Sequence, residues 1–166
     1  MTSMSLINIL YYLLVGVFAT AMLDLWSLTL NRALGAPITN WDYVGRWISG
    51  LLTSGTLRHA AIAAVPPAAH ERLLGWSTHY VVGVIYAALY LGVLAALNAT
   101  PSVSSAGVFG LITVLAPWLI LQPGLGIGYF ATRAPRPNLT RALNLLSHLV
   151  FGIGLYLGWV VVTLVD

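Results

Sequence analysis

The sequence contains no cysteine and no lysine, and little charge of either sign. Without cysteine, disulfides, thiolate metal sites and cysteine nucleophiles are excluded. Charged residues are only 7% of the 166, namely seven arginines and four acids, where a soluble domain carries roughly a quarter. Eleven such side chains cannot wet the surface of a water-soluble fold of this length, whereas a lipid-facing surface needs none. The exclusive use of arginine reads as the bias of a GC-rich bacterial coding sequence, and no nucleic-acid partner is expected. Met1 to Asn8 carries no positive charge in its side chains, so it is not read as a cleaved signal and the first apolar segment is expected to stay in the mature protein.

What the chain has instead is length in its apolar runs. Hydrophobic residues make up 59% of it, and four stretches reach the ~20 residues a helix needs to cross a bilayer. They are residues 6–30, 73–97, 103–121 and 143–165. The second has room to begin earlier, at Pro67, and Pro117 is expected to kink the third. The fold class expected is therefore all-α: one polytopic domain over residues 1–166 with four transmembrane helices and the lipid bilayer as its partner.

The connectors differ in character. In residues 31–72, Trp41, Val44, Ile48, Leu51 and Leu52 recur at helical spacing, with Asp42, Arg46 and Ser49 opposite. This pattern predicts a short interfacial helix capped by Asn40 or Thr39. A second short helix is expected over 56–64, stopped by Pro66-Pro67. Residues 122–140 are rich in Gly and Pro and lack a hydrophobic period, and Asn98 to Pro101 makes a brief turn.

Arginines set the orientation. Arg32, Arg46, Arg58 and Arg72 flank or occupy the first connector, and Arg133, Arg136 and Arg141 the third; the termini and the short turn have none. The positive-inside rule then places both long connectors in the cytoplasm and both termini outside it, across a bacterial inner membrane. Trp26, Trp41, Trp47, Trp76 and Trp118 gather toward the connector side as an aromatic belt, with Trp159 toward the other.

An ionisable residue inside a span costs about 3 kcal/mol or more at the bilayer centre and so needs a reason. Asp24 lies eight residues before Arg32, His79 seven after Arg72 and His148 seven after Arg141. At ~1.5 Å per residue, all three sit ~10–12 Å below the arginine rim. Each shares its stripe with small or polar residues: Gly16, Thr20, Ser27 and Asn31 beside Asp24; Glu71, Gly75, Gly83 and Tyr90 beside His79; Arg141, Asn144 and Gly152 beside His148. Gln122 joins from the third span, and with Asn144 it extends the expected polar cluster.

The plainest reading is interhelical hydrogen bonding. A second is a divalent metal, Zn or Fe, on Asp24, His79, His148 and His59, with Glu71 as candidate base and a lipid or hydrophobic small molecule as substrate. Haem b ligated by His79 and His148 is a variant. Further alternatives are a proton-coupled transporter, dimerised through Gly154 and Gly158, and a non-catalytic structural or assembly subunit. The run Gly124-Leu125-Gly126-Ile127-Gly128 has the look of a phosphate-cradling loop but follows a membrane helix rather than a strand. With Arg46, Arg133, Arg136 and Arg141, a lipid headgroup is the anion it would meet.

The segments Ala19-Thr20-Ala21-Met22-Leu23-Asp24-Leu25-Trp26, Val44-Gly45-Arg46-Trp47, Gly75-Trp76-Ser77-Thr78-His79-Tyr80, Leu121-Gln122-Pro123-Gly124 and His148-Leu149-Val150-Phe151-Gly152 carry a family resemblance. The chain resembles a group of small bacterial inner-membrane proteins catalogued as a domain of unknown function. The resemblance covers nearly the whole length and implies boundaries without implying an activity.

Overall fold

The computed structural model describes residues 6–164. Every regular element among them is helical. In chain order these are α1 (Leu6–Leu34), α2 (Trp41–Ser54), α3 (Glu71–Ala96), α4 (Val103–Thr113), α5 (Gln122–Leu125) and α6 (Pro137–Thr163). A π turn occupies Pro117–Leu121, and 3-10 turns occupy Ile62–Ala64 and Tyr129–Ala131. Four helical stretches are long and apolar enough to cross a membrane: Asn8–Leu34, Glu71–Ala96, Val103–Leu125 and Pro137–Thr163, with mean hydropathy 1.8 to 2.0. The chain is a multi-pass membrane protein.

The spans expected from sequence are all present, with shifted ends. The last begins at Pro137 rather than near residue 143, because proline at the first helical position forgoes an N–H that has no partner there anyway. The second begins at Glu71, not Pro67; His70, just before it, is left-handed with φ 56°. Pro117 interrupts the third span as expected. It offers no N–H to the carbonyl of Thr113, and the chain passes into the π turn before resuming as α5.

The chain divides into two compact units. One comprises residues up to Ala36, Tyr80–Ile112 and the chain from Ser147 onward. Its core is Val15, Ala19, Ala87, Tyr90, Leu91, Leu94, Ala106, Phe151 and Leu155. Within it, the small-polar stripe of α1 packs on α3: Gly16 against the Val84 backbone, Thr20 against Gly83, and Asp24 accepting from the Tyr80 hydroxyl at 2.9 Å. Gly110 of α4 and Gly152 of α6 meet backbone to backbone. Gly154 and Gly158 of α6, the stripe assigned from sequence to a dimer contact, pack on Ala19, Val15 and Phe18 of α1 instead.

The other unit comprises Pro37–His79 and Thr113–Leu146. Here α2 is the helix its spacing predicted. Asn40 caps it, its side chain accepting from the Asp42 N–H at 3.0 Å, and Gly55 ends it at φ 66°, its N–H donating to the Leu51 carbonyl and the Thr56 N–H to the Gly50 carbonyl. The helix expected over 56–64 does not form beyond the turn at Ile62–Ala64. Its backbone groups find partners elsewhere: Trp47 Nε1 donates to the Leu57 carbonyl at 2.9 Å, and the His59 N–H to the Gly124 carbonyl at 3.0 Å. A segment whose polar groups are satisfied by tertiary partners gains nothing by closing its own helix.

Candidate functional site

The first connector is organised by one buried charge. Arg46 Nε and Nη2 donate to the two carboxylate oxygens of Glu71 at 2.8 and 2.9 Å, a bidentate pair. Nη1 donates to the Val65 and Ile62 carbonyls at 2.7 and 3.3 Å. Glu71 also accepts the Ala68 N–H at 2.9 Å. The side chains are 8% and 14% exposed, and the Arg46 guanidinium lies 5.2 Å over the Tyr43 ring. The hydrogen bonds it donates to Glu71 raise the guanidinium above its ordinary pKa, against the opposing effect of burial. Arg46 was expected on the water side of α2 and among the anion ligands. It is turned inward instead, its three nitrogens on Glu71 and on the Ile62 and Val65 carbonyls. Glu71, the candidate base, is held by the same pair.

Beside this frame the two arginine-bearing connectors enclose a cavity of about 350 Å³, lined by Arg58, His59, Ala60, Pro123, Gly128, Tyr129, Thr132 and Arg133. Arg58 Nη2 donates to the Tyr129 hydroxyl, and its guanidinium lies 5.3 Å over the same ring. The His59 Nδ1 points at the Gly124 carbonyl, 3.2 Å away. Gly124 itself faces Trp47, whose Nε1 would lie 2.5 Å from a Cβ there. The wall turns at Phe130 and Ala131, two consecutive left-handed residues at φ 51° and 57°. Non-glycine residues pay for that conformation with strain, which persists only where the surroundings impose it. Here Arg141 Nε holds the Phe130 carbonyl at 2.7 Å, Trp118 packs on the Phe130 ring at 5.4 Å, and Ala131 is fully buried.

Of the four arginines expected at an anion site, Arg133 alone lines the cavity. Arg141 is spent on Phe130 and on Asn138 Oδ1 at 2.9 Å, and Arg136 is exposed on the loop. Arg58 and Tyr129 were not singled out. Their only signal was an Arg-His pair in one connector and an aromatic pair beside Gly128 in the other, 71 residues apart. Of the glycines read as a phosphate cradle, Gly124 lies under Trp47 and Gly126 is the left-handed cap of α5, while Gly128 lines the cavity.

Gln122 and Asn144 meet in the structure. Gln122 Nε2 and Trp118 Nε1 both donate to Asn144 Oδ1, at 2.8 and 3.1 Å. Gln122 is 6% exposed and its Oε1 is buried without a hydrogen-bond partner. The metal set is a different matter. No three His, Asp or Glu side chains among the described residues form a group that could hold a metal ion. Asp24 is engaged by Tyr80, His79 stacks on Trp41 with ring centroids 3.9 Å apart, and His59 turns to Gly124. The carbonyl of His148 abuts Gly110.

A family model described as protein of unknown function (DUF2938) matches residues 13–162. The chain belongs to that family. The DUF2938 match runs from α1 to α6 and so takes in both connectors and every residue of the cavity. No curated protein and no solved structure matches the chain.

Proposed function

We propose that this protein binds the anionic head of an amphiphile in the cavity of Arg58, His59, Tyr129 and Arg133, at the cytoplasmic face of a bacterial inner membrane. One observation carries the reading: two arginines, Arg58 and Arg133, line a cavity whose lining contains no carboxylate. Two basic side chains beside one cavity favour an anionic ligand, and arginine's fork suits phosphate oxygens. Pro123 belongs to the final turn of a membrane-spanning helix, so an amphiphile with its tail in the bilayer would present its head at this depth. The cytoplasmic assignment rests on the arginine asymmetry of the connectors. Lipid analysis of protein purified in mild detergent tests the proposal. Wild type should retain anionic lipid that the Arg58→Gln/Arg133→Gln double variant loses; equal retention by the two would end it.

A further inference from the structure

We infer that Arg141 is a positioning residue for this cavity: by holding the peptide between Phe130 and Ala131 it keeps Tyr129 and Arg133 on one wall, without touching the ligand itself; this rests on the headgroup reading above. The turn it holds is not a relaxed one. Phe130 lies at φ 51° and ψ 36° and Ala131 at φ 57°, a region in which a Cβ crowds the carbonyl oxygen that follows it. Glycine would escape that crowding and stands at neither position. Such a pair persists only under outside restraint.

The place where the restraint acts decides what it controls. The carbonyl of Phe130 belongs to the peptide between the two left-handed residues, so holding it fixes the chain rotation on either side. Arg141 Nε donates to that carbonyl at 2.7 Å, and a charged donor makes this one of the stronger hydrogen bonds. The guanidinium is steadied in turn by Asn138, one helical turn back on α6, whose Oδ1 accepts from Nη1 at 2.9 Å. The Thr132 N–H on the Tyr129 carbonyl and the Arg133 N–H on the Ile127 carbonyl, at 3.1 and 2.8 Å, close the loop around the held peptide. Cavity-lining residues stand on both sides of it, Tyr129 before and Thr132 and Arg133 after. Arg58 depends on it at one remove, since it donates to the Tyr129 hydroxyl. Arg141 lines no part of the cavity. Its effect on a ligand is exerted through the chain: relaxation of Phe130 and Ala131 to negative φ would redirect Arg133 relative to Tyr129 and break up the wall.

The chain has no cysteine, so one placed at Ala131, which is fully buried, reports opening of the turn by reacting with a water-soluble maleimide. In the full-length protein in lipid-free detergent, adding Arg141→Gln should speed that labelling about tenfold or more, the worth of one charge-assisted hydrogen bond. A cysteine at Ala106, fully buried in the other unit, should label equally slowly with and without Arg141→Gln. In phosphatidylcholine nanodiscs, Ala131→Cys/Arg141→Gln should bind phosphatidylglycerol about tenfold more weakly than Ala131→Cys, because affinity falls with the fraction of molecules whose wall is formed. Arg141→Lys, which keeps the charge and a donor, should recover part of both effects. By reciprocity, phosphatidylglycerol should slow the labelling of Ala131→Cys. Weaker binding with unchanged labelling would overturn the inference and make Arg141 a direct ligand. Faster labelling with unchanged binding would overturn it as well, leaving a turn unconnected to the site. Faster labelling at both cysteines would show that Arg141 holds the whole fold and not the turn, which also overturns it. Phosphatidylglycerol binding that ignores Arg58→Gln/Arg133→Gln would instead remove the headgroup reading, and this inference with it, whatever the labelling shows.

Discussion

Arg46 shows how a single side chain can replace secondary structure. Its four hydrogen bonds to Glu71, Val65 and Ile62 fix three points of a connector that has one short turn of its own. Removing one partner of such a pair strands the other charge where water is scarce. Glu71→Gln should therefore cost about 3 kcal/mol, while replacing both partners with apolar residues of similar volume should recover much of that loss. Thermal unfolding in detergent reads both variants, and a single and a double variant of equal stability would mean that the pair does not hold the connector. The same residue shows where sequence patterning misleads. Asp42, Arg46 and Ser49 fall on one side of α2, and polarity alone assigns that side to water. The counter-charge lies 25 positions away, beyond any local window.

At the scale of elements, local chemistry was legible and borrowed chemistry was not. The spans could be read because apolar length needs no partner to be recognised. So could α2, whose Asn40 cap and helical spacing lie within its own segment. The helix over 56–64 was misread because its hydrogen bonds go to Trp47 and Gly124. Gln122 and Asn144 were recognised as polar residues near the end of a span, but the π turn that orients one of them was not. A π turn holds an extra residue, so the positions beyond it are rotated by roughly 100° relative to an unbroken α-helix. That rotation should be what brings Gln122 to Asn144. Asn144→Leu orphans two donors in the native chain, Trp118 Nε1 and Gln122 Nε2. After deletion of Leu119, which takes the extra residue out, the same substitution should cost less by the Gln122 share, ~1 kcal/mol or more. Equal losses in the two backgrounds would show that the π turn does not set the contact.

Across the whole molecule, the absence of cysteine makes topology directly measurable. Single cysteines at Arg58 and Arg133 should resist a membrane-impermeant thiol reagent in intact cells and react in inverted vesicles, and one at Ala99 should do the reverse. Labelling of position 133 from outside would invert the orientation proposed here. The cavity itself was hardly legible, because Arg58 and Tyr129 come from connectors separated by two spans and nothing local pairs them. That separation also sets an order of events during synthesis. The Arg46–Glu71 pair and its carbonyl partners lie wholly within Pro37–His79, so they can assemble once the second span has left the ribosome. Arg58 and His59 must wait: Gly124, Tyr129 and Arg133 are made only after the third span. A nascent chain arrested between those points would hold a complete ion pair and an incomplete cavity wall.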